Sequence, residues 1–161
     1  MILRRVARPL LASIFIYGGI GALRDAQGHA KVVEPFLNDT FDKVEGVLPE
    51  GVPRDPVTLV KIDAGVKIGA GLALATGKAP RLAAFLLLGS LVPTTLATHR
   101  FWDIKEPAER QQQTAQFFKN ASIAGGLLLA TADTGGKPSL GWRARRGAKK
   151  AAKRAEAILP N

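Results

Sequence analysis

Residues 57–76 read VTLVKIDAGVKIGAGLALAT, a segment of twenty residues that is apolar at both ends and rich in small side chains. A helix of this length rises about 30 Å, which matches the hydrocarbon core of a bilayer. The segment nevertheless contains Lys61, Asp63 and Lys67. A charge at the bilayer centre costs about 2.5–3.5 kcal/mol, so it needs a partner or a wet cavity. Because Asp63 and Lys67 are four residues apart, they share a helix face and are predicted to form an ion pair.

The glycines of this segment indicate where other helices pack. Gly71 continues the face that carries the ion pair, whereas Gly65 and Gly69 form a small-xxx-small step on the opposite side. Such a step allows a second helix to approach closely, so we expect a neighbour there. We therefore predict a transmembrane helix whose polar stripe faces the interior of a bundle. The alternative is an amphipathic helix of a soluble protein.

Three further segments are predicted to be helical. Residues 9–23 and 82–98 carry no charge, and the first of these follows a basic start. A basic start before a short apolar segment is also typical of a signal peptide, but Gly28-His29-Ala30 is a poor cleavage site, so we expect it to be retained. The apolar part of the last helix, residues 121–132, spans a membrane only if Lys119 and Asn120 lie inside it. The sequence thus predicts an all-α bundle of four transmembrane helices, over residues 6–23, 57–76, 82–98 and 114–132, in a membrane domain of residues 1–136.

The connection over residues 24–56 is predicted to be an external loop, because several prolines and glycines interrupt it. Within it, Pro35 favours the start of a short helix and Gly46 its end. We expect this helix to lie on the membrane surface or to cap the bundle. An ordered surface loop is an equally good interpretation.

Charge is unevenly distributed and predicts the orientation. The net charge is +10, with eight Lys/Arg and one Glu after residue 136, but four Lys/Arg and seven Asp/Glu over residues 24–55. Basic segments concentrate on the cytoplasmic side, so both termini are predicted to lie in the cytoplasm. The basic tail, residues 137–161, is expected to contact anionic lipid. The predicted contact residues are Arg143, Arg145, Arg146, Lys149, Lys150, Lys153 and Arg154.

This topology gathers polar side chains in the outer half of the bundle. A one-sided polar cluster inside a membrane is a default hypothesis for a functional site, although its members can equally serve to satisfy one another. The predicted ligand-binding or structural cluster is Tyr17, Arg24, Asp63, Lys67, Thr98, His99, Arg100, Trp102, Asp103, Gln116 and Asn120. The chain contains no cysteine and two histidines, so we predict no disulfide, no thiolate nucleophile and no metal site. No catalytic residue is assigned, and no zinc-finger or RNA-recognition pattern suggests a nucleic-acid partner.

Several stretches resemble the DoxX family of small bacterial four-helix membrane proteins. They are RPLLASIFIYGGIGALRD, KIDAGVKIGAGLAL, THRFWD and QFFKNASIAGGLLLA, and the resemblance covers roughly residues 4–132. It implies an integral inner-membrane protein. Some relatives are linked to quinone redox chemistry, as in thiosulfate:quinone oxidoreductase, and others to thiol and oxidative-stress partners. Because this chain lacks cysteine, any thiol step would belong to a partner.

Three functions remain open at this point. The first is a non-catalytic or accessory membrane subunit that binds a partner membrane protein or a lipid-like ligand through the polar cluster. No cofactor is predicted for it, since no ligands for one are present. The second is a quinone-linked oxidoreductase component, with the quinone head held by Tyr17, His99, Trp102 and Asn120 and protons relayed by Asp63 and Lys67. The third is a small-solute pathway through the bundle.

Overall fold

The computed structural model describes residues 2–44, 51, 53–133, 142 and 145–151. All regular structure in these ranges is helical, which confirms the all-α class. The helices are α1 (Ile2–Arg24), α2 (Ala26–Val44), α3 (Pro56–Thr76), α4 (Pro80–Thr98) and α5 (Pro107–Ala132), with a 3₁₀ turn over Phe101–Asp103 between α4 and α5. The chain divides into two compact units, Met1–Thr131 and Ala132–Asn161.

Helix α2 replaces most of the predicted external loop. It is 19 residues long and contains Pro35, where a short helix was expected to begin. Asp25 provides the reason, because its carboxylate Oδ1 accepts the Gly28 N–H at 2.9 Å and so caps the start of α2. The Nδ1–H of His29 also donates to the Asp25 carbonyl at 2.8 Å. The chain therefore passes from α1 into α2 through this single turn residue, and Pro35 is accommodated on an exposed position.

Helix α5 also begins earlier than predicted, at Pro107 rather than near residue 114. Proline suits the first helical position, where no backbone donor is required. The Glu106 carbonyl accepts the Arg110 N–H at 2.9 Å, which closes the first turn. Residues 107–112 lie before the predicted start of this helix, yet they form exposed helical turns.

Helices α1 and α3 pack antiparallel and close together. A Cβ on Gly19 would lie 2.8 Å from Ile68 Cγ1 and 2.9 Å from the Ala64 carbonyl oxygen, and one on Gly71 would lie 2.7 Å from Ile16 Cγ1. The close approach expected at Gly65 and Gly69 is not found in the described chain, where both face open space. Two backbones approach only where both helices present small residues, and it is Gly71 of α3 that meets the small-residue face of α1.

The remaining long helices continue this antiparallel order. Helix α4 follows α3 after a tight turn in which Gly77 and Ala79 both adopt positive φ, 74° and 47°. Helix α5 is tied to α4 at one end by Arg81 Nε, which donates to the Thr131 carbonyl at 2.8 Å. A shared apolar core joins α1, α3, α4 and α5, and its largest members are Phe15, Leu74, Leu87, Leu91 and Leu127.

Two segments are long and apolar enough to cross a membrane by length and composition. Among the described residues these are Ile2–Arg24 and Pro80–Asp103, where four spans were predicted. Helices α3 and α5 are not among these segments, because α3 carries three charged residues and the first half of α5 is polar. The outer surface of the bundle is strongly apolar: Leu3 is 80% exposed, Leu10 68%, Leu82 59% and Leu129 75%. Apolar surface of this extent suits contact with lipid.

Candidate ligand-binding cleft

A cleft of about 890 Å³ lies between α2, α3 and α4, next to the end of α1. Its walls are mainly aliphatic and aromatic. Those that define its shape are Val33, Leu37 and Phe41 from α2, Val66 from α3, and Phe85 and Leu86 from α4. A concave, mostly apolar site with a few convergent polar groups is typical of small-molecule sites in proteins.

The polar groups of the cleft centre on the predicted ion pair. Lys67 Nζ lies 2.7 Å from Asp63 Oδ2, and the side chains are only 14% and 34% exposed. Across from α3, the Ser90 hydroxyl donates to Asp63 Oδ1 at 2.5 Å. Lys67 also donates to Thr94 Oγ1 over a long 3.4 Å. The pair expected from its i,i+4 spacing is therefore formed, and α4 supplies the hydroxyls that complete it.

Helix α4 also presents backbone to the cleft. Pro93 lies inside α4 and has no N–H to donate to the carbonyl of Gly89, one turn earlier. Gly89 and Pro93 both line the cleft, next to Ser90 and Thr94. The Thr94 hydroxyl donates to the Ser90 carbonyl, and the Thr98 hydroxyl donates to the Thr94 carbonyl at 2.8 Å. This wall consequently carries hydroxyl oxygens and a carbonyl that lacks its helical donor.

A second group of predicted polar residues joins α4 to α5, away from the cleft. Asn120 Nδ2 donates to Thr95 Oγ1 at 3.0 Å, and the Thr95 hydroxyl donates to the Leu91 carbonyl at 2.7 Å. Nearer the end of the bundle, His99 Nδ1 donates to Gln113 Oε1 at 2.6 Å. These side chains satisfy one another between two helices, and none of them lines the cleft.

The other predicted cluster residues lie apart from both groups. Tyr17 is 78% exposed on α1, and Arg24 is exposed at the end of the same helix. Arg100 and Asp103 form a local ion pair, with Nε and Oδ2 3.2 Å apart. Trp102 packs edge to face against Phe101 and Phe117, and Gln116 accepts a hydrogen bond from Lys119. Of the predicted cluster, the cleft is thus lined by Asp63, Lys67 and Thr98.

A match to a protein-family model shows which family this chain belongs to. The DoxX family model matches residues 3–100, which is more than half of the chain and includes α1 to α4. The chain belongs to the DoxX family. Neither the curated proteins nor the solved structures gave a significant match. Together with its apolar helices, this membership identifies a membrane protein in contact with the lipid bilayer.

Every residue that lines the cleft of this DoxX protein lies within the matched region, whereas α5 lies outside it. The predicted cluster leaves out Gly89 and Ser90, although Ser90, Thr94 and Thr98 recur every four residues on α4 and Pro93 leaves the Gly89 carbonyl without its helical donor. In the wall supplied by α2, Leu37 and Phe41 lie in the short helix expected between Pro35 and Gly46, whereas Val33 precedes it. The sequence predicts a loop over residues 24–34, so it assigns no face to them.

The basic tail of the DoxX protein forms part of the second unit. In its described part, residues 145–151 are helical and exposed, including Arg145, Arg146, Lys149 and Lys150. The Arg146 guanidinium lies 4.8 Å from the centre of the Trp142 ring. Arg143, Lys153 and Arg154 lie outside the described residues. Contact of this segment with anionic lipid stays a prediction.

Proposed function

We propose that this DoxX protein is a non-catalytic membrane subunit that binds a lipid-like ligand in the cleft between α2, α3 and α4. The observation that carries the proposal is the cleft itself, in which apolar walls surround one partly buried ion pair. A ligand with an apolar tail and a polar head matches that distribution, because each part meets surface of its own kind. As an accessory subunit, the protein would present the ligand to a partner membrane protein.

The proposal includes four membrane spans, α1, α3, α4 and α5, with both termini in the cytoplasm of a bacterial inner membrane. The antiparallel order supports it, since Arg8 lies near Gly77 and Arg81 is bonded to Thr131. The starts of α1 and α4 therefore share one end of the bundle with the ends of α3 and α5. That end is basic, as expected for the cytoplasmic side. The pairing of Asp63 with Lys67 lowers the cost of placing α3 in lipid.

The test is to fill the cleft with a side chain. Gly89 lines the cleft and a Cβ there meets open space, so Gly89→Leu adds bulk at the cleft wall with room for its Cβ. Gly65→Leu is the matched control, because Gly65 is also helical and open but lies outside the cleft. Both variants are purified from native membranes, and co-purifying lipids are quantified by mass spectrometry.

We expect one or more lipids to accompany the wild type and Gly65→Leu and to be depleted in Gly89→Leu. The same lipids at the same level in all three proteins would contradict occupancy of the cleft. Cross-linking in native membranes tests the accessory role separately, since a subunit yields a defined adduct with another membrane protein.

A quinone, which carries phenolic hydroxyls in its reduced quinol form, is the second candidate ligand, favoured by the same combination of an apolar cleft and one polar pair. None of the four residues predicted to hold the quinone head lines the cleft, and His99 and Asn120 bond between α4 and α5 instead. Quinone extracted from the purified protein should therefore fall in Gly89→Leu and stay unchanged in His99→Ala. The opposite result would move the quinone out of the cleft.

A further inference from the structure

The donors and acceptors of the cleft identify the kind of head group that it fits, and this step depends on the proposed function. We infer that the ligand bears a hydrogen-bond-donating, non-anionic head, that is, an alcohol or a phenol. Most hydrogen-bond donors of the cleft are engaged within the protein, whereas several acceptors remain available. This balance favours a head group that donates a hydrogen bond and excludes an anionic one.

Most hydrogen-bond donors of the cleft are already committed to the protein. The Ser90 hydroxyl donates to Asp63, and the Thr94 and Thr98 hydroxyls donate to carbonyls one turn earlier on α4. Lys67 directs one proton to Asp63 Oδ2 and one to Thr94 Oγ1. The third proton of the Lys67 ammonium is the remaining side-chain donor among these residues, since an ammonium group has three protons.

Acceptors, in contrast, remain in excess. The Gly89 carbonyl lacks its helical donor because residue 93 is proline. The Ser90 and Thr98 hydroxyl oxygens keep lone pairs after donating their protons. A head group that donates is therefore needed to satisfy this surface.

Charge points in the same direction. The formal charges among the lining residues are those of Asp25, Asp63 and Lys67, which sum to −1 with His29 neutral. An anionic head would be repelled by this balance, and it would have to compete with Asp63 for Lys67. A hydroxyl head meets neither penalty.

The test compares three amphiphiles with one tail and different heads: 1-dodecanol, dodecyl methyl ether and dodecanoate. Each is titrated into the delipidated protein in detergent micelles, and binding is measured by the shift in melting temperature. We expect the alcohol to bind roughly fivefold more tightly than the ether, the effect of one hydrogen bond, and dodecanoate to bind most weakly. Equal binding of alcohol and ether, or tighter binding of dodecanoate, overturns the donor requirement.

Asp63→Asn replaces an acceptor oxygen with a donor amide and removes one negative charge. The binding preference of this variant should therefore shift from the alcohol towards dodecanoate. Asp39→Asn is the control for charge, because Asp39 pairs with Lys43 on exposed α2 surface and does not line the cleft. If Asp39→Asn shifts the preference as much as Asp63→Asn, the head-group assignment is wrong. Should all three amphiphiles bind wild type and Gly89→Leu alike, the cleft is not their site and the proposed function fails.

Discussion

Gly19 and Gly71 show how little space separates α1 from α3. At Gly19 the limiting neighbour is partly backbone, the Ala64 carbonyl oxygen, which a rotamer change cannot move aside. At Gly71 the nearest atom belongs to the Ile16 side chain, and the Ala12 carbonyl oxygen is 3.5 Å away. Close packing of this kind stabilises helix pairs in membranes through van der Waals contact, because lipid offers no hydrophobic driving force between helices.

The first prediction concerns Gly19. Gly19→Ala should lower the stability of the protein by about 1–3 kcal/mol, the usual cost of inserting a methyl group into a packed contact. The measurement is the melting temperature in detergent by fluorescence-detected size exclusion. Gly18→Ala is the control, because a Cβ there meets no described heavy atom within 4 Å. Equal melting temperatures for the two variants would show that α1 and α3 are not in close contact.

The second prediction concerns the Asp63–Lys67 pair. Asp63→Asn or Lys67→Met alone should destabilise the protein, because each leaves a partly buried charge without its partner. The double variant should lose less than the sum, with a coupling of about 1–2 kcal/mol measured by unfolding in a double-mutant cycle. Asp39 and Lys43 on α2 have the same spacing but are 53% and 70% exposed, so their coupling should be smaller. Equal couplings would contradict burial of the cleft pair.

At the scale of elements, α3 is bounded by specific caps at both ends. Asp55 Oδ2 accepts from the Thr58 N–H at 2.8 Å and from the Thr58 hydroxyl at 2.7 Å, and Pro56 occupies the first helical position. At the other end, the N–H of Gly77 donates to the Leu74 carbonyl from a left-handed conformation with φ of 74°. These caps fix the two ends of α3, and packing against α1 and α4 decides which of its faces meets each neighbour.

The third prediction concerns the cap at Asp55. The side-chain hydrogen bond from Thr58, and then the backbone one, lower the pKa of Asp55 below its usual 3.8. A lowered folded-state pKa contributes stability above pH 3.8, which is lost as the pH falls through the folded-state value. Asp55→Asn should therefore be nearly as stable as wild type at pH 7 but less sensitive to acid below pH 4, because asparagine also caps helices without titrating. Melting curves across this range measure the difference.

Asp55→Ala is the companion variant for this cap. It removes both hydrogen bonds from Thr58 and should be destabilised at neutral pH as well as in acid. Identical acid sensitivity in wild type and Asp55→Asn would show that Asp55 does not contribute to the pH dependence of stability.

For the whole molecule, the arrangement predicts which ends of the helices face which side of the membrane. The turn between α3 and α4 carries Lys78, and the connection before α5 carries Lys105, both exposed. These positions lie at opposite ends of the antiparallel bundle. In the proposed topology the first faces the cytoplasm and the second the outside.

The fourth prediction tests this topology with single cysteines, which is direct because the chain contains none. Lys105→Cys should react with a membrane-impermeant maleimide in intact cells, whereas Lys78→Cys should react only after permeabilisation. The two variants are matched controls for each other, since both replace an exposed lysine outside the long helices. Labelling of both in intact cells would contradict the single span, α4, that the proposed topology places between them.

The sequence alone determined what depends on neighbours within one segment. The Asp63–Lys67 pair, the missing donor at Pro93 and the all-α class all follow from spacings of four residues or from a residue's own chemistry. The resemblance to the DoxX family came from contiguous stretches as well, and the family match confirms it. Helical periodicity is a local property, so a single segment contains enough information to reveal it.

Tertiary structure decided which residues share a space. Gly71 rather than Gly65 faces α1, and Asn120 bonds to Thr95 rather than joining Asp63, because packing sets the rotation of each helix about its axis. The position of the wall that α2 contributes to the cleft likewise depends on packing against α3 and α4, although the Asp25 cap at the start of α2 is a local contact. Contacts between distant segments follow from close packing of complementary surfaces, which spacing along one helix does not specify.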